Sequence, residues 1–278
     1  MSNVLPSCDL TALFCAIDDT LVVIEKDKSA VGRPSLLCDS EMVTILIYNT
    51  LLLHQKNLKD IWRFTIKYHR HDFPKIPKYS AFVDHVHRIL PLMLELLSLS
   101  LVKADINFTD STMLEVCKLH RVDSHKVAKL IAKFGKNHQG WHYGFKLHAS
   151  INWQGLFTSF CFSSANIYDA QMLPCLVKDF MKIIVGDSQY GASVMRKFIH
   201  EKTGIIIIAP PHYKQRLKLA TMWQNALLSM RSKIESVYDV LKEHLHLVSS
   251  FPRSLGGYFV HYVRILLAYQ FSLLFKSA

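Results

Sequence analysis

Three acidic residues stand where phosphoryl chemistry could be built. Asp110 closes the run Ile106-Asn107-Phe108-Thr109, Asp187 follows Ile183-Ile184-Val185-Gly186, and Glu235 lies in Arg231-Ser232-Lys233-Ile234-Glu235. The first two runs read as short strands and the third as part of a helix. In open α/β sheets, ligands bind beyond the carboxyl ends of strands. Carboxylates gathered there can hold two divalent ions about 3.5–4 Å apart. Such a pair activates an oxygen nucleophile and stabilises the leaving oxygen of a phosphodiester. Oxygen-only ligands suit Mg²⁺ or Mn²⁺. Taken singly, each acid also has a structural reading. An Asp after a strand can cap a turn or a helix, and Glu235 can belong to a solvated face with i, i+4 pairs.

The helix around Glu235 carries more information. Ile234, Val237, Leu241 and Leu245 recur at the spacing of a buried stripe. Tyr238, Asp239 and Lys242 fall on the Glu235 face, and Arg231 sits one turn earlier. That face can pair a metal-binding carboxylate with two cations, Arg231 and Lys242, suited to DNA phosphates.

The elements that must position these groups follow from hydrophobic spacing. Residues 1–100 read as mostly helical, with Leu10, Leu13, Phe14 and Ile17 on one stripe. A second helix covers Leu37–Leu53, capped by Asp39 or Ser40. Beyond Ser100 the spacing changes. Strands are expected at Ile106–Asp110, Trp141–Ile151, Gly155–Ser163, Lys182–Asp187 and Gly204–Ala209. Helices are expected at Asp169–Phe180, capped by Asp169, at Ser193–Glu201, and from Met222 to the end. The order implies an α/β sheet covered by helices, preceded by a helical region.

Charge narrows the partner. The 278 residues hold 33 Lys and Arg against 22 Asp and Glu, a formal charge of +11, and half the residues are hydrophobic. A disordered chain is excluded, because there is ample apolar material for a core. The excess charge favours a polyanion. His54–Arg88 carries eight Lys or Arg against three Asp, interleaved with Trp62, Phe64, Tyr68, Phe73, Tyr79 and Phe82. Within it Arg63, Lys67 and Arg70 are the candidate DNA contacts. Residues 118–146 carry seven Lys or Arg against Asp123, and Lys126 and Lys146 are candidates there. Lys214, Arg216 and Lys218 extend the track.

The apolar windows Ile89–Val102 and Ile265–Phe275 are too short or too interrupted for a membrane span, so no membrane partner is expected. Met1–Asp19 has no basic residue, and the six cysteines show no C-x-x-C spacing. Reduced thiols in a cytoplasm are the expectation. His138 and His142 stand at i, i+4, but no cysteine pair accompanies them and His142 opens a strand, so a zinc site is not expected. No Walker loop, G-x-S-x-G or H-E-x-x-H motif occurs.

Together these motifs resemble a known family. Asn107-Phe108-Thr109-Asp110-Ser111-Thr112 is similar to the first-aspartate motif of the DDE transposases of bacterial insertion sequences. Gly186-Asp187-Ser188-Gln189-Tyr190 is similar to their second, and Arg231-x₃-Glu235-x₆-Lys242 to their third. Gly140-Trp141-His142-Tyr143-Gly144-Phe145-Lys146-Leu147-His148, Leu13–Asp19 and His125-Lys126-Val127 resemble the insertion sequence 982 family in particular. Leu228 and Ser188-Gln189 depart from the pattern, which has a tyrosine at the first position and a basic residue and glycine at the second.

The resemblance implies a ribonuclease H-like catalytic domain over residues 101–278 and a helical DNA-binding region over 1–100. It implies Asp110, Asp187 and Glu235 as ligands of two Mg²⁺ or Mn²⁺ ions. It implies cleavage of double-stranded DNA at element ends, transfer of the 3′-hydroxyl strand into target DNA, and a homo-oligomer on DNA in a bacterial cytoplasm, at the nucleoid. A non-catalytic DNA-binding remnant and a related metal-dependent nuclease are the alternatives.

Overall fold

The computed structural model describes residues 9–25, 35–54, 57–137, 140–191, 193–210 and 221–277. His138, Lys214, Arg216 and Lys218 lie outside the described residues. The chain forms two compact units, one of Met1–Ser100 with Leu241–Ala278 and one of Leu101–Val240.

The first unit is helical. It contains α1 (Leu10–Glu25), α2 (Asp39–Leu53), α3 (Leu58–Tyr68), α4 (Tyr79–Arg88) and α5 (Leu90–Leu99). Asp9 caps α1 through the amide of Ala12, at 2.9 Å, and Leu13, Ile17 and Leu21 form its buried stripe. Helix α2 is capped by neither Asp39 nor Ser40. The thiol of Cys38 accepts from the amide of Glu41, and the Glu41 carboxylate accepts from the amide of Cys38. This is a capping box with sulfur in the place of the usual hydroxyl. Asp39 is thereby left to pair with the ring of His85.

The second unit supplies four helices, α6 (Asp169–Leu176), α7 (Ser193–Thr203), α8 (Met222–Ser229) and α9 (Ser232–Asp239). The last helix, α10 (Leu255–Ser277), returns to the first unit. The sequence grouped 241–278 with the catalytic domain, whereas the fold packs this segment with the N-terminal helices. The physical reason is that α10 is apolar nearly all round, so it needs cover on several sides. Helices α2, α4 and α5 provide it. The stretch Leu255–Phe275 is long and apolar enough to cross a membrane, and 78% of its most apolar window is buried. Inside that packing Arg264 is fully buried, with its guanidinium on the Thr50 hydroxyl and on Nδ1 of His261 at 3.1 Å.

The second unit is built on a mixed sheet. Its strands are β1 (Ile106–Glu115), β2 (Lys133–Asn137), β3 (Gly140–Ile151), β4 (Phe157–Ser164), β5 (Ile183–Val185) and β6 (Ile206–Ile208). The order is β2-β3-β1-β5-β6, with β4 also on β3. Strand β3 pairs antiparallel with β1, β2 and β4, whereas β1–β5 and β5–β6 are parallel. A mixed sheet of antiparallel strands followed by parallel ones agrees with a ribonuclease H-like fold. Helix α6 packs on β3 and β4, α7 on β6, and α9 on β1. Leu173, Met181, Ile184, Tyr190, Ile199 and Ile207 close one core cluster. Strand β1 is longer than the spacing suggested, because Ser111 and Thr112 keep pairing, with His148 and Leu147.

His261 gives the helical unit a pH dependence. Burial first, then the Arg264 charge, pulls its pKa from 6.5 down to about 3. The unfolded chain therefore takes up a proton that the fold refuses. Stability present above pH 6.5 is lost as pH falls toward 3, by up to about 1.4 kcal/mol per pH unit. Urea titrations at stepped pH should show this slope, and His261→Gln should flatten it.

Candidate active site

Asp110 lies in the middle of β1, opposite Ala149 of β3. On the other side, the parallel ladder with β5 pairs Phe108 with Val185 and goes no further. Asp110 and Asp187 each stand two residues beyond that last pair. The common register sets them at the same height on adjacent chains, which in a sheet run about 4.8 Å apart. The two acids therefore lie near each other where the β1–β5 ladder stops, close enough for the Asp187 charge to act on Asp110. Asp187 follows its strand as the sequence indicated, whereas Asp110 sits inside the longer β1 and does not end it.

The loop carrying Asp187 is held tightly. A Cβ on Gly186 would lie 2.8 Å from the ring of Tyr190, so only glycine lets that fully buried ring pack against the chain. The amide of Tyr190 donates to the carbonyl of Asp187 at 2.9 Å, and the amide of Ser188 donates to its carboxylate. Helix α9 is fastened to β1 by Tyr238, whose hydroxyl donates to the carbonyl of Asp110 at 2.7 Å. The stripe of Ile234 and Val237 is buried as its spacing implies.

Electrostatics mark Asp110. Burial pushes its carboxyl from 3.8 up to about 7. The amide of Ser111 and the Arg231 charge pull it down, and the neighbouring carboxylates of Asp187 and Asp169 push it up. Asp110 is thus a half-buried acid under the influence of two other acids, with the Ser111 amide and Arg231 acting against them.

Glu235 is placed differently from the expectation. It is half-exposed, and its carboxylate pairs with Arg231 at 2.9 Å, one turn back on the same helix. Among the described residues, no three His, Cys, Asp or Glu side chains stand close enough to hold a metal ion. Asp110 and Asp187 are therefore brought together, while Glu235 is turned to its own helix neighbour. The donor set still suits a hard cation, since it is oxygen-only and desolvation holds the Asp110 carboxyl above its ordinary range.

The cations divide. Arg63, Lys67 and Arg70 are exposed, the first two on α3 and the third in the turn after it. Lys126 is also exposed. Lys146 is not. It is buried, and its ammonium donates to the carboxylate of Asp169 at 2.7 Å and to the carbonyl of Ile167 at 3.0 Å. It serves as an internal countercharge and presents nothing to a phosphate. Lys242 falls in a π-helical turn, Val240–His244. The wider turn changes the helical phase, so the i+7 spacing no longer places Lys242 on the Glu235 face. The two residues also belong to different compact units.

Asp169 is the residue that spacing misjudged. The N-cap of α6 is Tyr168, without a side-chain hydrogen bond, and Pro174 stands within the helix, which ends at Leu176. The Asp169 carboxylate points inward, accepting from the Ser111 hydroxyl at 2.8 Å as well as from Lys146. It thereby braces β1 directly beside Asp110. A signal existed: a lysine inside a run of otherwise buried strand residues requires an acidic partner.

Residues 102–255 match the family model of a transposase DDE domain. The chain belongs to this family. No curated protein matches the sequence. The matched segment contains all three candidate acids together with Lys146, Asp169 and Tyr238. The DDE transposases are metal-dependent enzymes acting on DNA.

Two outcomes follow. Because the fold raises the pKa of Asp110, ionising it costs stability as pH climbs from 3.8 toward about 7. Asp110→Asn should therefore stabilise the metal-free transposase at pH 8 by about 2 kcal/mol, read by thermal melting. Added Mg²⁺ should raise the Tm of the wild type and leave that of the variant unchanged. Lys146→Ala should destabilise by about 3 kcal/mol or more, since it strands a buried carboxylate. Pairing it with Asp169→Asn should recover part of the loss.

Proposed function

We propose that this transposase cleaves double-stranded DNA at the ends of an insertion element and joins the freed 3′-hydroxyl to target DNA. The first-aspartate and Gly140–His148 motifs support placing it beside the bacterial insertion sequence 982 family. The observation that carries the reading is the placement of Asp110 and Asp187 two residues beyond the last β1–β5 pair, with Asp110 half-buried and its carboxyl held above the ordinary range by desolvation.

Asp110, Asp187 and Glu235 are the residues that would hold divalent ions, Mg²⁺ or Mn²⁺, and two are expected. When bound, such ions supply activation of the attacking oxygen and stabilisation of the leaving one. The chain's own residues do the rest. Tyr238 and Asp169 fix the Asp110 segment from two sides. Gly186 and Tyr190 fix the Asp187 loop. Arg231, one turn from Glu235, is positioned to exchange its carboxylate partner for a DNA phosphate, a bidentate acceptor of similar geometry. The exposed cations Arg63, Lys67 and Arg70 on the helical unit, and Lys126 on the sheet unit, are suited to the phosphate backbone. Lys242 is retained as a weaker candidate of the same kind. The protein acts in the cytoplasm, at the nucleoid, as a homo-oligomer on DNA.

The test is a cleavage and joining assay with a double-stranded element end and Mg²⁺ or Mn²⁺. Asp110→Asn, Asp187→Asn and Glu235→Gln should each reduce cutting at least about 100-fold, the scale on which losing a charge-stabilising group lowers turnover, and leave DNA affinity within a factor of a few. Cutting at the normal rate by Asp110→Asn would overturn the assignment. Cutting without joined products would indicate a nuclease, and binding without cutting by the wild type would indicate a non-catalytic remnant.

A further inference from the structure

The β2–β3 hairpin of the sheet unit has two unlike faces. Its register pairs Phe134 with Tyr143, Gly135 with His142 and Lys136 with Trp141. Side chains opposite each other share a face, and neighbours along a strand alternate. One face therefore carries Phe134, Lys136, Trp141 and Tyr143, and the other Gly135, Asn137 and His142.

The second face is committed to the fold. A Cβ on Gly135 would lie 2.3 Å from the carbonyl oxygen of Ala165. His142 bridges the Glu115 carboxylate and the side chain of Asn137. The hairpin is thus pinned by this face, and it cannot roll to bury the other.

On the first face Tyr143 is buried against His125, and the part around Phe134, Lys136 and Trp141 is left to solvent. Phe134 is 50% exposed and Trp141 56%. Phe134 leans on Tyr143 with ring centroids 5.0 Å apart, and the Lys136 ammonium sits 5.7 Å from the Trp141 ring centroid. Two large rings held in water by a braced hairpin cost hydration free energy that a ligand can recover. The surrounding charge states what kind of ligand. Lys118, Arg121, Lys126, Lys129 and Lys136 are exposed nearby in sequence, against the one acid Asp123. An anionic partner with flat apolar faces answers both features.

We propose that this hairpin face is a stacking platform for unpaired DNA bases, with Lys136 and its neighbours holding the phosphates. The inference rests on the reading of the chain as a DNA-acting enzyme and adds the form of DNA recognised. A closed duplex offers only phosphates and groove edges to an exposed ring, because its base faces are stacked on one another. Bases at a frayed end, a flap or a single strand offer those faces, and stacking of this kind tolerates any sequence.

The experiment uses the full chain, fluorescently tagged oligo-dT and a blunt duplex of equal length, with anisotropy followed over a salt series. Trp141→Ala should weaken oligo-dT binding about tenfold or more and duplex binding less than about threefold, the scale of one base stacked on one ring. Trp141→Phe should restore most of the loss. The slope of log affinity against log salt should stay unchanged in Trp141→Ala and fall by about one in Lys136→Ala. Oligo-dT should quench tryptophan emission in the wild type and less so in Trp141→Ala, with circular dichroism confirming that the variant is folded.

Equal loss on both DNAs, or no loss on either, overturns the proposal. So does a Trp141→Ala change in molar mass by light scattering with oligo-dT affinity intact, since that would make the face a protein interface. A wild type that binds neither DNA would defeat the DNA reading itself. A wild type that binds DNA while Trp141→Ala is unaffected defeats only the stacking platform.

Discussion

A half-buried carboxylate in the middle of a sheet needs a compensating charge, and at Asp110 desolvation outweighs the pull of Arg231. Lys146, the buried ammonium of the neighbouring strand, lies opposite Met113 on the other face of the sheet and is bound to Asp169 at 2.7 Å. Asp110 is left with the fields of Asp187 and Asp169 and the distant help of Arg231. Burying an uncompensated acid costs free energy, which a cation bound there would recover.

The topology creates this point. Strand β1 is flanked by an antiparallel and a parallel partner, and the parallel partner stops after three residues. Asp110 and Asp187 lie just past that stop, where two backbones remain adjacent but no longer exchange hydrogen bonds. Helix α9 closes the gap by anchoring Tyr238 on the Asp110 carbonyl. The geometry of the acids therefore comes from where a ladder ends, and side-chain packing only preserves it.

Much of this was legible in the residues. Ile234 and Val237 announced the buried side of α9, and the apolar run before Asp187 announced a strand end. Other parts were not. Lys146 looked like a surface cation because charge in a sequence carries no burial, and Asp169, 23 residues away, becomes its partner only through the fold. Cys38 was overlooked as a cap because thiols rarely take that role, and Asp39 or Ser40 was credited instead. The spacing of Glu235 and Lys242 assumed an unbroken α-helix, and the π-helical turn at Val240 is invisible to periodicity. The strand β2 went unseen because its cations suggested an open basic stretch, and only Gly135 in it is buried, so no apolar alternation marks it.

The pairing of Glu235 with Arg231 decides whether the third acid is withheld or available. The arginine is 26% exposed and the glutamate 52%, on one helix at i, i+4. Pairs of this kind contribute about 0.3–0.5 kcal/mol after screening. A buried pair such as Lys146–Asp169 would cost several times more to open. Lys146–Asp169 and Arg231–Glu235 thus divide by burial into a pair that holds the scaffold and a pair that can be exchanged. Under the proposed function, a phosphate that took Arg231 would free the Glu235 carboxylate at the same moment, one turn away. The weak pair therefore suits a site that assembles its charges only when DNA brings the opposite ones.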